Sequence, residues 1–575
     1  MKNIKETIKK ELKKSGVDID GAILSHPKDL KNGDFSFFVK DKTADISAFS
    51  FAELKKNKYI KNVVVVGQFI NIYLSDTFFS ELIEDILKSG ADFGKNSTRK
   101  GERIIFEYTD PNPFKEFHIG HLMSNTIGES FARITEWSGA IVKRANYQGD
   151  VGLHVAKAIW GMKELSGEMP HTQEDLTKKS AFLGRAYVHG SCAYNEDESA
   201  KKEIDVLNKT IYEKSDPKVV ELYDWGRKVS LDHFEDIYAK LGTKFDYYFF
   251  ESETAPRGLF IVEEFLSKNV FEKSDGAIVF KGEQYGLHTR VFVNSQGLPT
   301  YETKELGLSK MKFEKTDFDL SVVVTANEQN EYYKVILKAL EFVDAEIANK
   351  TRHIGHGMLR FSSGKMSSRT GNVITGESLI VDVEKLVYEK IKDRELSDTE
   401  KTDIMSQVAV GAIKYSILRQ SSGKDIIFDF EKSLSFEGDS GPYLQYAHAR
   451  ACSILRKAKE AGISASVKKT GKSDDDTSGA GDTDADTAGE LEKMLAKFAD
   501  ITERAKKEFA PQLIVTYLTE LAGSFNSYYA NTPIIAESGT ENHAKSPYRV
   551  ALTHAFKIVM QNGLWLLGIE APEKM

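Results

Sequence analysis

Cysteine is nearly absent from this chain of 575 residues: there are two, Cys192 and Cys452, far apart and in no CxxC pair. That excludes a disulfide framework and a cysteine-rich zinc site, and it points to a reducing, cytoplasmic compartment. Long apolar runs are missing too. None approaches the roughly 20 residues a membrane span needs, and the lysine-rich opening from Met1 to Ser15 has no apolar core of signal-peptide length. Excess positive charge is also lacking, the formal net charge being −8. Net charge does not exclude a nucleic-acid partner, because phosphate binding needs only a local basic face. Lys2, Lys5, Lys9, Lys10, Lys13 and Lys14 offer one such face, although lysines mixed with glutamates on a helix fit a solvated surface better. What is present is ordinary: 41% hydrophobic and 29% charged residues describe a globular protein. The length implies three or four domains.

Residues 1–98 read as a small α/β module. A lysine-rich helix leads to Gly33-Asp34-Phe35 and to the strand-like runs Val63 to Val66 and Phe69 to Leu74. A β-α-β unit follows. Arg103 to Tyr108 is an apolar strand, and residues 118–137 place Met123, Ile127, Phe131, Ile134 and Trp137 on one helical face. Gly139 closes that helix, and Ile141 to Tyr147 forms the second strand. A strand, a helix and a parallel strand indicate a doubly wound sheet, whose ligands sit beyond the carboxyl ends of the strands. Residues of about 160–285 interrupt the pattern as an insertion, and the core resumes with Thr289 to Val293 and Leu320 to Thr325. Residues 381–575 are almost wholly helical, with a final helix from Tyr548 to Gln561 ending at Asn562-Gly563. Residues 466–489, rich in Ser, Thr, Gly, Lys and Asp, read as a disordered acidic linker.

Two constellations carry chemistry. Pro111 to His121 lies between strand and helix, where an anion would meet backbone N–H groups and the positive end of the helix dipole. There His118 and His121 can donate to phosphate oxygens as charge builds, and Gly120 lets a flat base or ribose approach the backbone. A lone HxGH is weak, since two histidines at a helix start are often structural. The strand before it, the helix after it and the glycine within it favour the functional reading. The second constellation, Gly364-Lys365-Met366-Ser367-Ser368-Arg369-Thr370-Gly371-Asn372, is a polar loop that could close over a triphosphate. Taken alone it fits a solvated basic turn equally well.

Together, and in this order about 245 residues apart, the two resemble the HIGH and KMSKS motifs of class I aminoacyl-tRNA synthetases. Further strings are similar to the arginyl branch: Glu107 to Asn112, Asn146 to Asp150, Thr300 to Gly307, Ser435 to Arg450 and Leu567 to Met575. The N-terminal module, with its GDF string and Gly67 to Asn71, resembles the extra domain that precedes the catalytic core there. Two departures stand out. Ser368 occupies the place of the second loop lysine, and Lys115, just before the HIGH string, resembles the lysine of those members that lack it. Glu305 stands where the branch often has aspartate. A second His353-Ile354-Gly355-His356 string, with no helix start after it, reads as chance on a connecting segment.

The resemblance implies a Rossmann-type doubly wound catalytic domain over 99–380, preceded by the α/β module and followed by an all-α anticodon-binding domain. It implies ATP-dependent activation of arginine and its transfer to the 2′-OH of the terminal adenosine of tRNA(Arg). His118, His121, Lys115 and Lys365 would be catalytic. Gly120, Met366 and Ser367 would join His118, His121 and Lys365 around ATP, with Mg²⁺ and no protein-bound transition metal. A guanidinium prefers carboxylates in matched geometry; by resemblance Glu107 and Glu305 hold it, Tyr301 bounds the pocket, and Asn112 and Gln329 bind the amino-acid end. Tyr443, Tyr446, Phe525, Tyr528, Tyr529 and the chain end at Met575 are candidates for the anticodon, since loop bases stack on aromatic rings. The implied protein is a monomer with no membrane contact. A sister synthetase would lack the paired carboxylates, a small nucleotidyltransferase would not need the long helical region, and a non-catalytic relative would have lost the histidines or Lys365.

Overall fold

The computed structural model describes residues 2–19, 24–40, 46, 49–361, 375–468 and 488–575. The chain divides into two compact units, Asn96–Ser433 and Met1–Lys95 with Leu434–Met575.

The unit from Asn96 to Ser433 is built on one sheet. Its strands are β1 (Arg103–Glu107), β2 (Ile141–Gln148), β3 (Tyr247–Phe250), β4 (Leu320–Ala326) and β5 (Thr351–His356). They lie in the order β5-β4-β1-β2-β3, every pair parallel. Val322, Val323 and Val324 are fully buried, as a central parallel strand covered on both faces requires. Helix α1 (Ile119–Glu136) connects β1 to β2. Its predicted stripe of Met123, Ile127, Phe131 and Ile134 is buried, and so are Ser124, Asn125, Thr126 and Ser130. The helix therefore sits inside the unit, not on its surface. Because the chain leaves β1 for β2 on one side and β4 lies on the other, the order switches between β1 and β4. That switch opens a crevice at the carboxyl ends of both strands.

Four helices fill the connection from β2 to β3: Leu153–Glu164, Leu176–Glu196, Glu198–Glu213 and Pro217–Lys240. Val155, Ile159, Phe182, Ile204 and Ile211 form their shared core. Asp175, Asp197 and Asp216 cap three of them by accepting from backbone N–H groups. The predicted insertion over 160–285 needs correcting at its far end. Tyr247–Phe250, inside that span, is the edge strand of the main sheet. Arg290–Val293, read as resuming core, instead pairs antiparallel in a small three-stranded sheet with Ala277–Phe280 and Glu272–Ser274. Runs of four apolar residues look alike whichever sheet they join.

The helical boundary shifts as well. Helices Gly376–Ile391 and Asp398–Leu418 lie in this unit and pack on α1, and Lys414 Nζ, fully buried, donates to the Leu241 carbonyl at 2.6 Å. The division falls at 433/434, not near 380. Periodicity shows that a segment is helical but not which neighbour covers its apolar stripe.

In the other unit an antiparallel sheet runs Leu24–Ser25, Phe35–Phe38, Phe69–Leu74, Ile60–Val66, with Phe35 and Phe37 of the GDF segment fully buried. The lysine-rich helix Lys2–Lys14 buries Ile4, Ile8 and Leu12 at four-residue spacing. Lys5 pairs with Asp500 at 2.5 Å, and His26 Nε2 lies 2.7 Å from the same carboxylate. The remaining helices include Gly441–Glu460, Gln512–Asn531 and Glu541–Leu566. Val550, Ala555, Ile558 and Val559 are buried as expected, but the last helix runs through Asn562-Gly563 to Leu566. A Cβ on Gly563 would lie 2.5 Å from Leu518 Cδ2, so this glycine permits close helix packing and ends nothing. Of the predicted linker over 466–489, residues 469–487 lie outside the described residues.

Candidate active site

The crevice at the switch point holds a cavity of about 720 Å³ lined by Glu107, Asn112, His118, Gly120, His121, Tyr301, Glu305 and Gln329, among others. Two-thirds of a residue list drawn from distant stretches of sequence thus meets in one place. The segment leaving β1 is tightly turned: Thr109, Asp110 and Phe114 have φ of 83°, 49° and 67°, conformations that cost about 1–3 kcal/mol each for non-glycine residues. Named hydrogen bonds hold them. Thr109 N donates to Ser124 Oγ at 3.0 Å, Tyr147 N to Asp110 Oδ1 at 2.8 Å, and Phe114 N to Ser230 Oγ at 2.9 Å.

The histidines cap α1. His121 N donates to His118 Nδ1 at 3.4 Å, His118 N donates to His121 Nδ1 at 3.2 Å, and the rings stack with centroids 3.4 Å apart. Since both Nδ1 atoms accept, each neutral ring carries its proton on Nε2. Burial, with the Lys115 charge adding to it, pulls the His118 pKa down; burial, then His118 and Lys115, pulls that of His121 well down. Two neutral N–H donors therefore line the cavity where an anion would also meet the amino end of α1. A Cβ on Gly120 would lie 2.9 Å from His118 Cε1, so the glycine protects the ring stack.

The same cavity is lined by acids. Glu107, the last residue of β1, is 1% exposed and Glu305 5%. Glu305 belongs to α3 (Tyr301–Thr316), one turn after Tyr301. Lys312, two turns further along the same face, is also 1% exposed and reaches Glu107 Oε2 at 2.6 Å. Glu107 is thus already in a buried ion pair, which the sequence reading had not foreseen, yet its Oε1 is buried with no hydrogen-bond partner. Burial, then the neighbouring Glu107 charge, raises the Glu305 pKa to about 8. The same two causes hold Asp110 well above the carboxylate range. A second buried pair, Glu251 with Lys304 at 2.6 Å, closes the wall, and α2 (Glu251–Leu266) supplies its acid.

Asn112 Oδ1 accepts from Gly149 N at 3.1 Å, which leaves its two N–H groups for a ligand. A Cβ on Gly149 would lie 2.3 Å from that oxygen. Gln329 stands exposed at the rim, in the turn before α4 (Asn330–Val343), and Tyr301 is 61% exposed at the mouth. Lys115 does not line the cavity. Its Nζ lies 5.3 Å from the Tyr187 ring centroid. Lys365, Met366, Ser367 and Ser368 lie outside the described residues. The loop's exit does not: Gly376 N donates to Phe117 O at 2.8 Å, and Thr375 bridges His118.

The second His-Ile-Gly-His string is no connecting segment. It is β5 itself, paired with β4, and His356 lines the cavity. A flanking strand made it look incidental, because the sequence shows no helix after it.

A family model described as tRNA synthetases class I (R), catalytic domain, matches residues 82–430, and one described as DALR anticodon binding domain matches 444–575. The arginine–tRNA ligase of Lactococcus lactis is 31% identical over 570 residues, covering 97% of each chain. The chain belongs to the arginyl-tRNA synthetase family. The arginine–tRNA ligase of Clostridium perfringens is 29% identical and covers 100% of this chain and 99% of its own. Two solved structures share the fold from end to end: the arginyl-tRNA synthetase of Thermus thermophilus (TM-score 0.75, 22% identity, 100% of both chains) and that of Plasmodium falciparum (0.72, 19%, 100% and 99%).

Within the segment matched to the family's anticodon domain, the aromatic candidates separate. Tyr528 and Phe525 are fully buried, Phe525 stacked 3.8 Å from Phe556. They are core residues, and Tyr528 is withdrawn as a base platform. Tyr446 and the exposed Tyr529 instead flank Arg450, whose guanidinium carbon lies 4.7 and 5.1 Å from their centroids. Tyr443 is half-buried near the start of Gly441–Glu460. The chain end is tied to that helix: Gln445 donates to the Glu570 carbonyl and His448 Nδ1 to that of Pro572, both at 2.9 Å. Met575 is half-buried beyond them.

Proposed function

We propose that the cavity binds arginine at its acidic end and the phosphates of ATP at the His118–His121 end. The chain then joins the arginine carboxylate to the α-phosphorus as pyrophosphate leaves, and passes the arginyl group to the 2′-OH of the terminal adenosine of tRNA(Arg). The mixed lining of one cavity carries this reading: buried carboxylates with an unsatisfied acceptor and two neutral N–H donors at a helix start share it. The nucleophile is already an anion, so catalysis is positioning and charge stabilisation.

Glu107 and Glu305 take the guanidinium, Tyr301 covers it, and Asn112 with Gln329 takes the amino-acid end. His118 and His121 stabilise the phosphates, with Gly120 giving them room. Lys365, Met366 and Ser367 complete the ATP site, and Lys115 supplies the charge that Ser368 does not. Mg²⁺ is assigned to the phosphates of ATP, which suit its hard, water-keeping coordination. Among the described residues no group of three or more His, Cys, Asp or Glu side chains is placed to hold a metal, so no protein ligands are assigned to it. Tyr443, Tyr446, Tyr529 and Met575 are assigned to the anticodon. Residues 1–98 contact tRNA beyond it, and the chain acts as a cytoplasmic monomer. No helix among the described residues is long and apolar enough to cross a membrane.

The test is charging of tRNA with each standard amino acid, followed by pyrophosphate exchange with and without tRNA. Charging by arginine alone is expected. Charging by another amino acid would overturn the assignment of Glu107 and Glu305.

A further inference from the structure

The acidic end of the cavity carries more carboxylate than one arginine requires. Glu251 is matched by Lys304 at 2.6 Å, and Glu302 by Arg290 at 3.3 Å. Among the described residues Glu107, Asp110 and Glu305 share only Lys312. With all three ionised, the empty pocket would hold two uncompensated charges in a buried site, and a guanidinium would cancel one of them. Isolated buried charge is costly enough that such groups shed it by taking up a proton.

Resting on the reading of this cavity as the arginine site, we propose that arginine binding expels one proton from the Glu107–Asp110–Glu305 cluster. Lys312 is the positioning residue: it binds Glu107 through one oxygen and leaves Oε1 open for the guanidinium, whose single charge sets the number at one. Burial works against the Lys312 charge, yet Glu107 and Glu305 beside it keep its pKa above the ordinary lysine value. In the empty protein both Glu305 and Asp110, the two carboxyls whose pKa burial and Glu107 raise, hold a proton, which offsets the two charges Lys312 leaves. On binding, one of these O–H bonds breaks, its proton leaves to solvent, and the guanidinium, charged throughout, balances the carboxylate left behind.

Other groups face the cluster. Glu251 comes from α2, Tyr147 from β2, and Tyr332 and Tyr333 from α4, with Tyr333 hydrogen-bonded to Glu305. Burial pushes all three phenols well above their usual range, so they stay neutral and donate no competing proton. Glu251 keeps its lysine.

Calorimetric titration of the full chain with arginine, in phosphate and in Tris, reads the proton count from the dependence of heat on buffer ionisation. About one proton released per arginine is expected at pH 7, with apparent affinity rising about tenfold per pH unit. The release should vanish above the Glu305 pKa of about 8. Glu305→Gln should bind more weakly and release much less; Lys312→Arg should keep the wild-type count. Arginine binding at pH 7 with no proton release overturns the proposal while leaving the arginine site standing. Failure of equilibrium dialysis to detect arginine binding by the wild-type chain overturns the site reading as well.

Discussion

The tetrapeptide His-Ile-Gly-His occurs twice, at 118–121 and at 353–356, and the copies do opposite things within the same cavity. In the first, both Nδ1 atoms accept backbone N–H groups, so Nε2 carries the proton and can donate to an oxyanion. In the second, His356 Nδ1 lies 2.7 Å from the Gly357 carbonyl. There Nδ1 must donate, and the neutral ring presents a bare Nε2. His353 meanwhile lies against Tyr333, centroids 4.1 Å apart, and hydrogen-bonds Thr325. The glycines differ too. Gly120 spares a histidine ring, whereas a Cβ on Gly355 would lie 2.2 Å from Asn330 Oδ1. Four identical residues thus become a donor pair at a helix start or a strand in a sheet, according to the turn that precedes them.

The contrast can be broken, most sharply by removing a ring from each copy. His121→Ala should lower the rate of pyrophosphate exchange by about 10²–10³, and His356→Ala by less than about 10-fold, having no such donor to lose. Equal losses would erase the distinction. Lys115→Ala, which removes a cation acting on both rings of the first copy, should cost about 2–4 kcal/mol in activation, as for single electrostatic stabilisers. A wild-type rate would show that Lys115 does not replace the absent loop lysine. The glycines should divide stability from activity. Gly355→Ala is expected to cost about 1–3 kcal/mol in urea unfolding through overpacking, while Gly120→Ala should leave the midpoint nearly unchanged and slow exchange. The smallest effect concerns acid. Burial, then His356, lowers the His353 pKa from 6.5 to about 4. Its contribution to stability is therefore full above pH 6.5 and is lost as pH falls toward about 4. His353→Gln should flatten that part of the urea midpoint's decline, and an unchanged slope would reassign it to other groups such as His154, which burial lowers to about 3.

The same contrast shows how far the residues could be read alone. Strand, turn, helix and strand from Arg103 to Gln148 were legible because local signals agreed: an apolar run, the HxGH string at the helix start, a stripe at helical spacing and Gly139 closing the helix, which the structure places at φ 85°. His118, His121, Glu107, Asn112, Tyr301, Glu305 and Gln329 do meet at one cavity. Lys312 escaped notice because its role depends on pairing with Glu107, 205 positions away, and nothing in a window around either residue reports that. β5 was missed for a similar reason: its partner β4 is what makes it a strand of the site. The same blindness to neighbours misplaced the helical boundary and made Tyr528 look like a platform when it faces the core.

The bond between Asn112 Oδ1 and Gly149 N has a consequence for how this chain can change over generations. With a Cβ at 149 only 2.3 Å from that oxygen, a side chain there is accepted only if the Asn112 amide turns away and gives up the bond. Shortening residue 112 first would free the space but discard the amide assigned to the amino-acid end. Each position penalises the other's first step, so the pair should travel through descent as one inherited character.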